Sequence, residues 1–79
     1  MNLKEQETET AARLQFEIKR TGVISGTLTD LVTKKYFHWY KKGKNRVEIQ
    51  RFEKPYIVAT SLIDALEQLD MVRNQPQMD

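Results

Sequence analysis

Polar and apolar side chains alternate along the first third of the chain in the manner of β-strands. Leu14, Phe16 and Ile18 are separated by single polar residues, which is the period of a strand that buries one face. Residues 23–29 are rich in β-branched side chains and predict a second strand, with a β-bulge at Gly26. The ordered part of the chain is therefore expected to begin with two strands joined by a short turn.

Ring-bearing side chains extend the strand pattern through the middle of the chain. Residues 35–41 hold a run of such side chains and predict a third strand, because aromatic residues favour strands. Residues 46–52 alternate again and predict a fourth strand. The segment 42–45, which contains glycine and asparagine, predicts the hairpin turn between them.

The segment 29–42 also admits a helical interpretation. Apolar residues at helical spacing run through it, namely Leu28, Leu31, Val32 and Trp39. A helix here would bring the chain closer to a winged helical DNA-binding module. The density of aromatic residues over 35–42 favours the strand instead.

A helix is predicted near the C-terminus. Ser61 is a suitable N-cap, and Asp64 stands three residues later, as in a capping box. An apolar stripe at helical spacing is formed by Leu62, Ile63, Ala65, Leu66, Leu69 and Val72, and a polar face by Glu67, Asp70 and Arg73. Pro55 predicts that strand pairing ends before this helix, while residues 56–59 fit either a short edge strand or an extended lead-in.

These elements predict an α+β fold, an antiparallel four-stranded β-meander with one C-terminal α-helix packed on one sheet face. The domain is expected to span 11–73, after an acidic tail over 1–10 that is flexible or partly helical and before a disordered tail over 74–79. The sheet residues expected beneath the helix are Leu14, Phe16, Ile18, Ile24, Leu28, Phe37, Trp39, Val47 and Ile49. The other face is expected to be open to solvent and to carry Gln15, Glu17, Lys19, Ser25, Thr27, Tyr36, His38, Tyr40, Glu48 and Gln50.

Composition argues against several classes of site. The 79 residues include no cysteine and one histidine, so neither a disulfide nor a zinc site is expected. The three glycines match no phosphate-binding fingerprint, and no serine lies in a nucleophile motif. We therefore expect a protein that is not an enzyme and uses no metal or cofactor. With no apolar run of ~20 residues and no targeting segment, the expected location is cytoplasmic, with no membrane partner.

Charge is the strongest functional indication in the sequence. Residues 31–54 carry eight cationic and two acidic side chains, a net charge of +6, whereas the rest of the chain carries −4. A concentrated positive surface attracts polyanions, and aromatic rings on an open sheet stack with unpaired bases. The sequence therefore predicts a nucleic-acid-binding surface within 34–51, with single-stranded DNA or RNA favoured. Its candidate residues are Lys34, Tyr36, Tyr40, Lys41, Lys42, Lys44, Arg46 and Arg51.

A protein-interaction role is the alternative prediction. An open sheet face with tyrosines also suits a partner surface, as in a homodimer or a small regulator, inhibitor or adaptor of the kind that mobile elements encode. Lysine-rich hairpins also serve solubility or protect a sheet edge, and His38 is expected to be an ordinary surface residue of the sheet. In element order and charge, the segment 13–73 resembles the positive-cofactor family of single-strand-binding domains. That resemblance implies a basic sheet that binds nucleic acid, but it rests on no shared motif and assigns no residue.

Overall fold

A five-stranded antiparallel sheet forms the body of the protein, and two helices cover one of its faces. The structure is a computed structural model that describes residues 2–75. In chain order the elements are α1 Leu3–Arg13, β1 Phe16–Arg20, β2 Ser25–Asp30, β3 Tyr36–Gly43, β4 Arg46–Arg51, β5 Lys54–Ala59 and α2 Leu62–Asn74. The strands lie in the spatial order β1-β2-β3-β4-β5, so each pairs with its neighbours in the chain.

The structure confirms the α+β class, the antiparallel meander and the C-terminal helix, and it adds a fifth strand and a second helix. The strand β3 excludes the alternative helix over 29–42. Pro55 does not end strand pairing but lies inside β5. A proline is tolerated there because β5 is an edge strand, with one side that needs no N–H donor. Of the tail predicted over 74–79, residues 76–79 lie outside the described residues.

Alternation along the central strands builds the core. Phe37 and Trp39 on β3 and Val47 and Ile49 on β4 point toward the helices and are buried. The α2 side chains that meet them are Leu62, Ala65, Leu66 and Leu69. The Trp39 indole N–H donates a hydrogen bond to a backbone carbonyl of β2 at 3.3 Å, so its one polar atom is satisfied inside the core.

The β1 region departs from the predicted pattern at two positions. Ile24, expected in the core, is 59% exposed because β2 begins only at Ser25 and leaves it in the preceding turn. Leu14 is the C-cap of α1 and does not belong to β1. Gln15 follows with a φ of 65°, a left-handed conformation that turns the chain from the helix into the strand.

Packing explains why position 26 is a glycine, and the β-bulge predicted there is wrong. It pairs regularly with Trp39, whereas the irregularities of register lie at Lys41–Gly43 and Ile49–Gln50. A Cβ placed on Gly26 would lie 2.0 Å from the carbonyl oxygen of Lys19 and 2.6 Å from the Trp39 ring. The missing side chain therefore makes room for the indole.

Helix α1 is held on the sheet by a buried carboxylate. Glu7 is 3% exposed, and its two oxygens face Arg20 on β1 at 3.1 Å and Lys41 on β3 at 3.3 Å. Ala11, one turn later, is also buried. The rest of the helix is mostly polar, so its attachment depends on an ion triad in addition to apolar contact. Residues 3–10 of the segment expected to be flexible or partly helical therefore belong to an ordered helix on the sheet's covered face.

Replacing Glu7 with Gln is expected to lower the free energy of unfolding by about 1–3 kcal/mol. The two cations would lose a buried counter-charge, but their side chains are 23% and 31% exposed and would still reach water. Urea unfolding followed by circular dichroism measures the change. Glu9→Gln, on an exposed position of the same helix, is the control and should cost less than ~0.5 kcal/mol. Equal effects of the two substitutions would contradict the role of the triad.

A second ion pair joins α2 to the sheet. Arg73, expected on the polar face of the helix, has an 11% exposed side chain. Its guanidinium donates to Asp30 at 3.1 Å, to the Leu14 carbonyl at 2.8 Å and to Asp70 at 2.6 Å. Burial alone would raise the pKa of Asp30, but hydrogen bonds from two backbone N–H groups, a hydroxyl and Arg73 outweigh it and hold the pKa below its usual value of 3.8.

Candidate nucleic-acid interface

Three ring side chains of β3 form a continuous stripe on the uncovered sheet face. Tyr36, His38 and Tyr40 alternate with the buried Phe37 and Trp39, so the period that builds the core also turns these rings outward. The Tyr36 and His38 rings meet edge to face at 5.2 Å, and the His38 and Tyr40 rings are stacked at 6.4 Å. We call these three residues the aromatic stripe. It spans ~13 Å of strand at ~3.3 Å per residue.

The aromatic stripe is open to solvent along most of its length. Tyr36 is 52% exposed, His38 is exposed and Tyr40 is half-buried. The strand register places His38 between Thr27 and Gln50 across the sheet. These neighbours are polar and carry no ring, but Thr27, expected to be open to solvent, is only 8% exposed and Gln50 is half-buried. A ligand would therefore reach the stripe through the exposed Tyr36 and His38 rings.

Cationic side chains gather at one end of the aromatic stripe, where β3 and β4 are joined. The Lys42 ammonium lies 5.2 Å from the centre of the Tyr40 ring, within the range of a cation–π contact. Lys44 in the turn and Arg46 at the start of β4 are exposed. The predicted hairpin is confirmed, with its turn at residues 44–45.

A groove opens at the opposite end of the aromatic stripe, between the β2–β3 loop and the β4–β5 turn. Its volume is about 630 Å³, and it is lined by Thr33, Lys34, Lys35, Tyr36, His38, Arg51, Phe52 and Glu53. The groove brings together three residues that the sequence singled out, Lys34, Tyr36 and Arg51. It also contains Lys35 and Phe52, which sequence reasoning missed.

Phe52 is the least expected member of the groove. It is 80% exposed, and the Arg51 guanidinium lies 4.6 Å from the centre of its ring. Phe52 and Glu53 form the β4–β5 turn with φ values of 55° and 64°. This left-handed conformation costs an ordinary residue about 1–2 kcal/mol. The only signal in the sequence was a large apolar residue between two charged ones at the end of a predicted strand.

Lys41 lies apart from this surface. It stands on the helix-covered face, 3.3 Å from Glu7 and 5.9 Å from the centre of the Trp39 ring. The two-residue period that joins Tyr36 to Tyr40 places Lys42 with the rings and Lys41 on the other face. The alternation along β3 therefore predicts that Lys41 and Lys42 lie on opposite faces, although the two were assigned to one surface because they are adjacent in the sequence.

The charge of the open face is concentrated at its two ends. Near the β1 edge, Lys19 is paired with Glu17 at 3.6 Å, and on β4, at the other side of the aromatic stripe, Glu48 accepts a hydrogen bond from Gln50. Within the part of the chain that the structure describes, cationic groups with no carboxylate within 4 Å, such as Lys42 and Arg51, therefore lie at the ends of the aromatic stripe and not along its sides. Among residues 2–75, no cluster of three or more His, Cys, Asp or Glu side chains is arranged to hold a metal ion. In the same part of the chain, neither helix is long and apolar enough to cross a membrane.

In comparisons with known proteins, no family model matches the chain, and no curated protein or solved structure matches it significantly. The function is therefore inferred from the chemistry of the open face alone.

Proposed function

We propose that this protein binds single-stranded DNA or RNA along the open face of its sheet and catalyses no reaction. The observation that carries the proposal is the aromatic stripe, with cationic side chains at both ends. Unpaired bases stack on aromatic rings at about 1–3 kcal/mol per base, while lysine and arginine neutralise the phosphates that connect them. Rings along β3 with cations at either end therefore suit the alternating bases and phosphates of a nucleic-acid chain.

The shape of the surface favours a single strand over a duplex. The aromatic stripe lies on β3, the middle strand of five, so it is flanked by β2 and β4. The major groove of a duplex admits a helix or a two-stranded ribbon, and paired bases are not free to stack on protein rings. A single strand laid along β3 would meet the stripe with its bases and both cationic ends with its phosphates.

Reversing the charge at the hairpin end is expected to weaken this binding. The double variant Lys42→Glu/Lys44→Glu should lower the affinity for a labelled single-stranded oligonucleotide roughly tenfold at low salt. It should also flatten the plot of log affinity against log salt by ~0.7 per lost phosphate contact. Fluorescence anisotropy over a salt series, with a duplex of the same sequence in parallel, measures both quantities.

The matched control makes the same change of charge on another surface. Lys4 and Arg13 are exposed residues of α1, on the helical layer of the protein, and Lys4→Glu/Arg13→Glu should change the affinity much less. The proposal is overturned if the wild type binds no oligonucleotide at low salt. Equal losses in the two double variants would also overturn it, because net charge alone would then explain them.

Capture of a protein partner is a second candidate function for the same open face. The observation that favours it is Val58, an apolar side chain 52% exposed on the edge strand β5, which is paired with Glu48 beside Tyr40. Apolar groups next to tyrosines on an exposed face suit a partner or a second copy of the chain. A complex that survives nuclease treatment and moderate salt, together with no oligonucleotide binding, would select this function.

A further inference from the structure

The β4–β5 turn combines two features that are each unfavourable for the stability of the fold. Phe52 and Glu53 both adopt the left-handed conformation, in a two-residue turn where Asn and Gly are the preferred residues. The Phe52 ring is also 80% exposed, so it gains little from burial. Strained backbone and an exposed apolar ring at one position are typical of residues retained for binding.

The ring has the surroundings that a base would need. Its nearest cation is Arg51, at 4.6 Å from the ring centre, and the groove beside it continues to Lys34, Lys35 and Tyr36. Three cationic groups line the groove against one acidic group, Glu53, so its charge is complementary to phosphate. Its volume of about 630 Å³ lies within the ~300–1,000 Å³ range of sites that enclose small organic groups.

From these features, the geometry points to a base-binding groove in which one unpaired base of a single-stranded nucleic acid stacks on Phe52. Lys34, Lys35 and Arg51 would hold the phosphates on either side of that base. This inference rests on the proposed function and deepens it, because the groove adjoins the aromatic stripe at Tyr36. A single-stranded nucleic acid lying along β3 would thus end in, or pass through, a groove that binds one nucleotide.

The substitution Phe52→Asn separates binding from folding. Asn tolerates the left-handed conformation better than Phe, so the variant should fold and its Tm should rise by roughly 4–8 °C. Affinity is measured by anisotropy for an oligothymidylate and for an abasic oligomer of the same length, which carries phosphates without bases. The variant should bind the oligothymidylate about 5- to 150-fold more weakly and the abasic oligomer with unchanged affinity. Phe52→Trp should retain binding of the oligothymidylate.

Val23→Asn provides the matched control, since Val23 is 94% exposed in the turn at the other end of the sheet. It should leave both affinities unchanged. If the wild type prefers the oligothymidylate and Phe52→Asn keeps that preference, the groove is overturned while the aromatic stripe stands. Equal weakening for both oligomers also overturns the groove, because the loss would not involve a base. If the wild type shows no preference for bases, stacking fails for stripe and groove alike.

Discussion

Replacing Asp30 with Ala is expected to lower the free energy of unfolding by about 3 kcal/mol. The substitution leaves Arg73, whose side chain is 11% exposed, without its partner on the sheet, and it removes the acceptor for two backbone N–H groups. Breaking a buried ion pair from one side is costly because the remaining charge stays desolvated, and Asp70, at 28% exposure, would be the one carboxylate still paired with Arg73 among residues 2–75. Chemical denaturation measures the loss. Glu17→Gln, which breaks the exposed pair with Lys19, should cost less than ~0.5 kcal/mol.

Asp30 also makes stability depend on pH in a defined direction, chiefly through the hydrogen bonds that it accepts from the backbone N–H groups of Val32 and Thr33. Hydrogen bonds hold the pKa of Asp30 below 3.8 in the folded protein, so the unfolded chain takes up a proton first as the solution is acidified. The stabilising contribution is complete above pH ~3.8 and is lost as the pH falls through the lowered folded-state value. Stability of the Asp30→Ala variant should therefore change less with pH below 4. A variant with the same acid dependence as the wild type would contradict this assignment.

Replacing Gly26 with Ala is expected to cost about 3 kcal/mol, again far more than a surface change. The new methyl group would stand 2.0 Å from the backbone oxygen of Lys19 and 2.6 Å from the Trp39 ring. The backbone atom cannot rotate away, and the buried indole has little room to move, so overpacking reaches the upper end of its usual range of 1–3 kcal/mol. Thermal or urea unfolding measures the effect.

Gly43 offers the matched control for this substitution. A Cβ there meets no atom within 4 Å, and no glycine of residues 2–75 has a positive φ. Gly43→Ala should therefore be neutral or stabilise the protein by up to ~1 kcal/mol. Similar losses at Gly26 and Gly43 would show that glycine is needed for backbone flexibility and not to accommodate Trp39.

The sequence was informative wherever hydrophobic period alone determined the structure. Phe37 and Trp39 alternate with Tyr36 and His38, and this pattern predicted both the central strand and its two faces. Ser61 was also identified correctly as the cap of α2, since its hydroxyl accepts the Asp64 N–H at 3.0 Å. Both predictions depend on residues close together in the chain, where the spacing of residue types is sufficient to predict the local structure.

Features that depend on distant partners were missed or left undecided. Helix α1 has few apolar residues, and the buried position of Glu7 follows only from cations 13 and 34 residues away. The sequence did not decide whether residues 56–59 form a strand, because Pro55 disfavours a strand unless that strand lies at the edge of a sheet. Phe52 was overlooked for a similar reason, since its turn lacks the Asn-Gly signal and the groove forms only when the β2–β3 loop folds beside it.

The order of strands in the sheet bears on how rapidly the chain folds. Each strand pairs only with its neighbours in the sequence, and the connections between strands are short. Little chain entropy is lost when such loops close, so the sheet is able to grow by adding one hairpin at a time. More distant contacts involve the helical layer, where Glu7 meets Lys41 across 34 positions and Arg73 meets the Leu14 carbonyl across 59. The topology therefore favours rapid assembly of the sheet, with the helices supplying the most distant contacts.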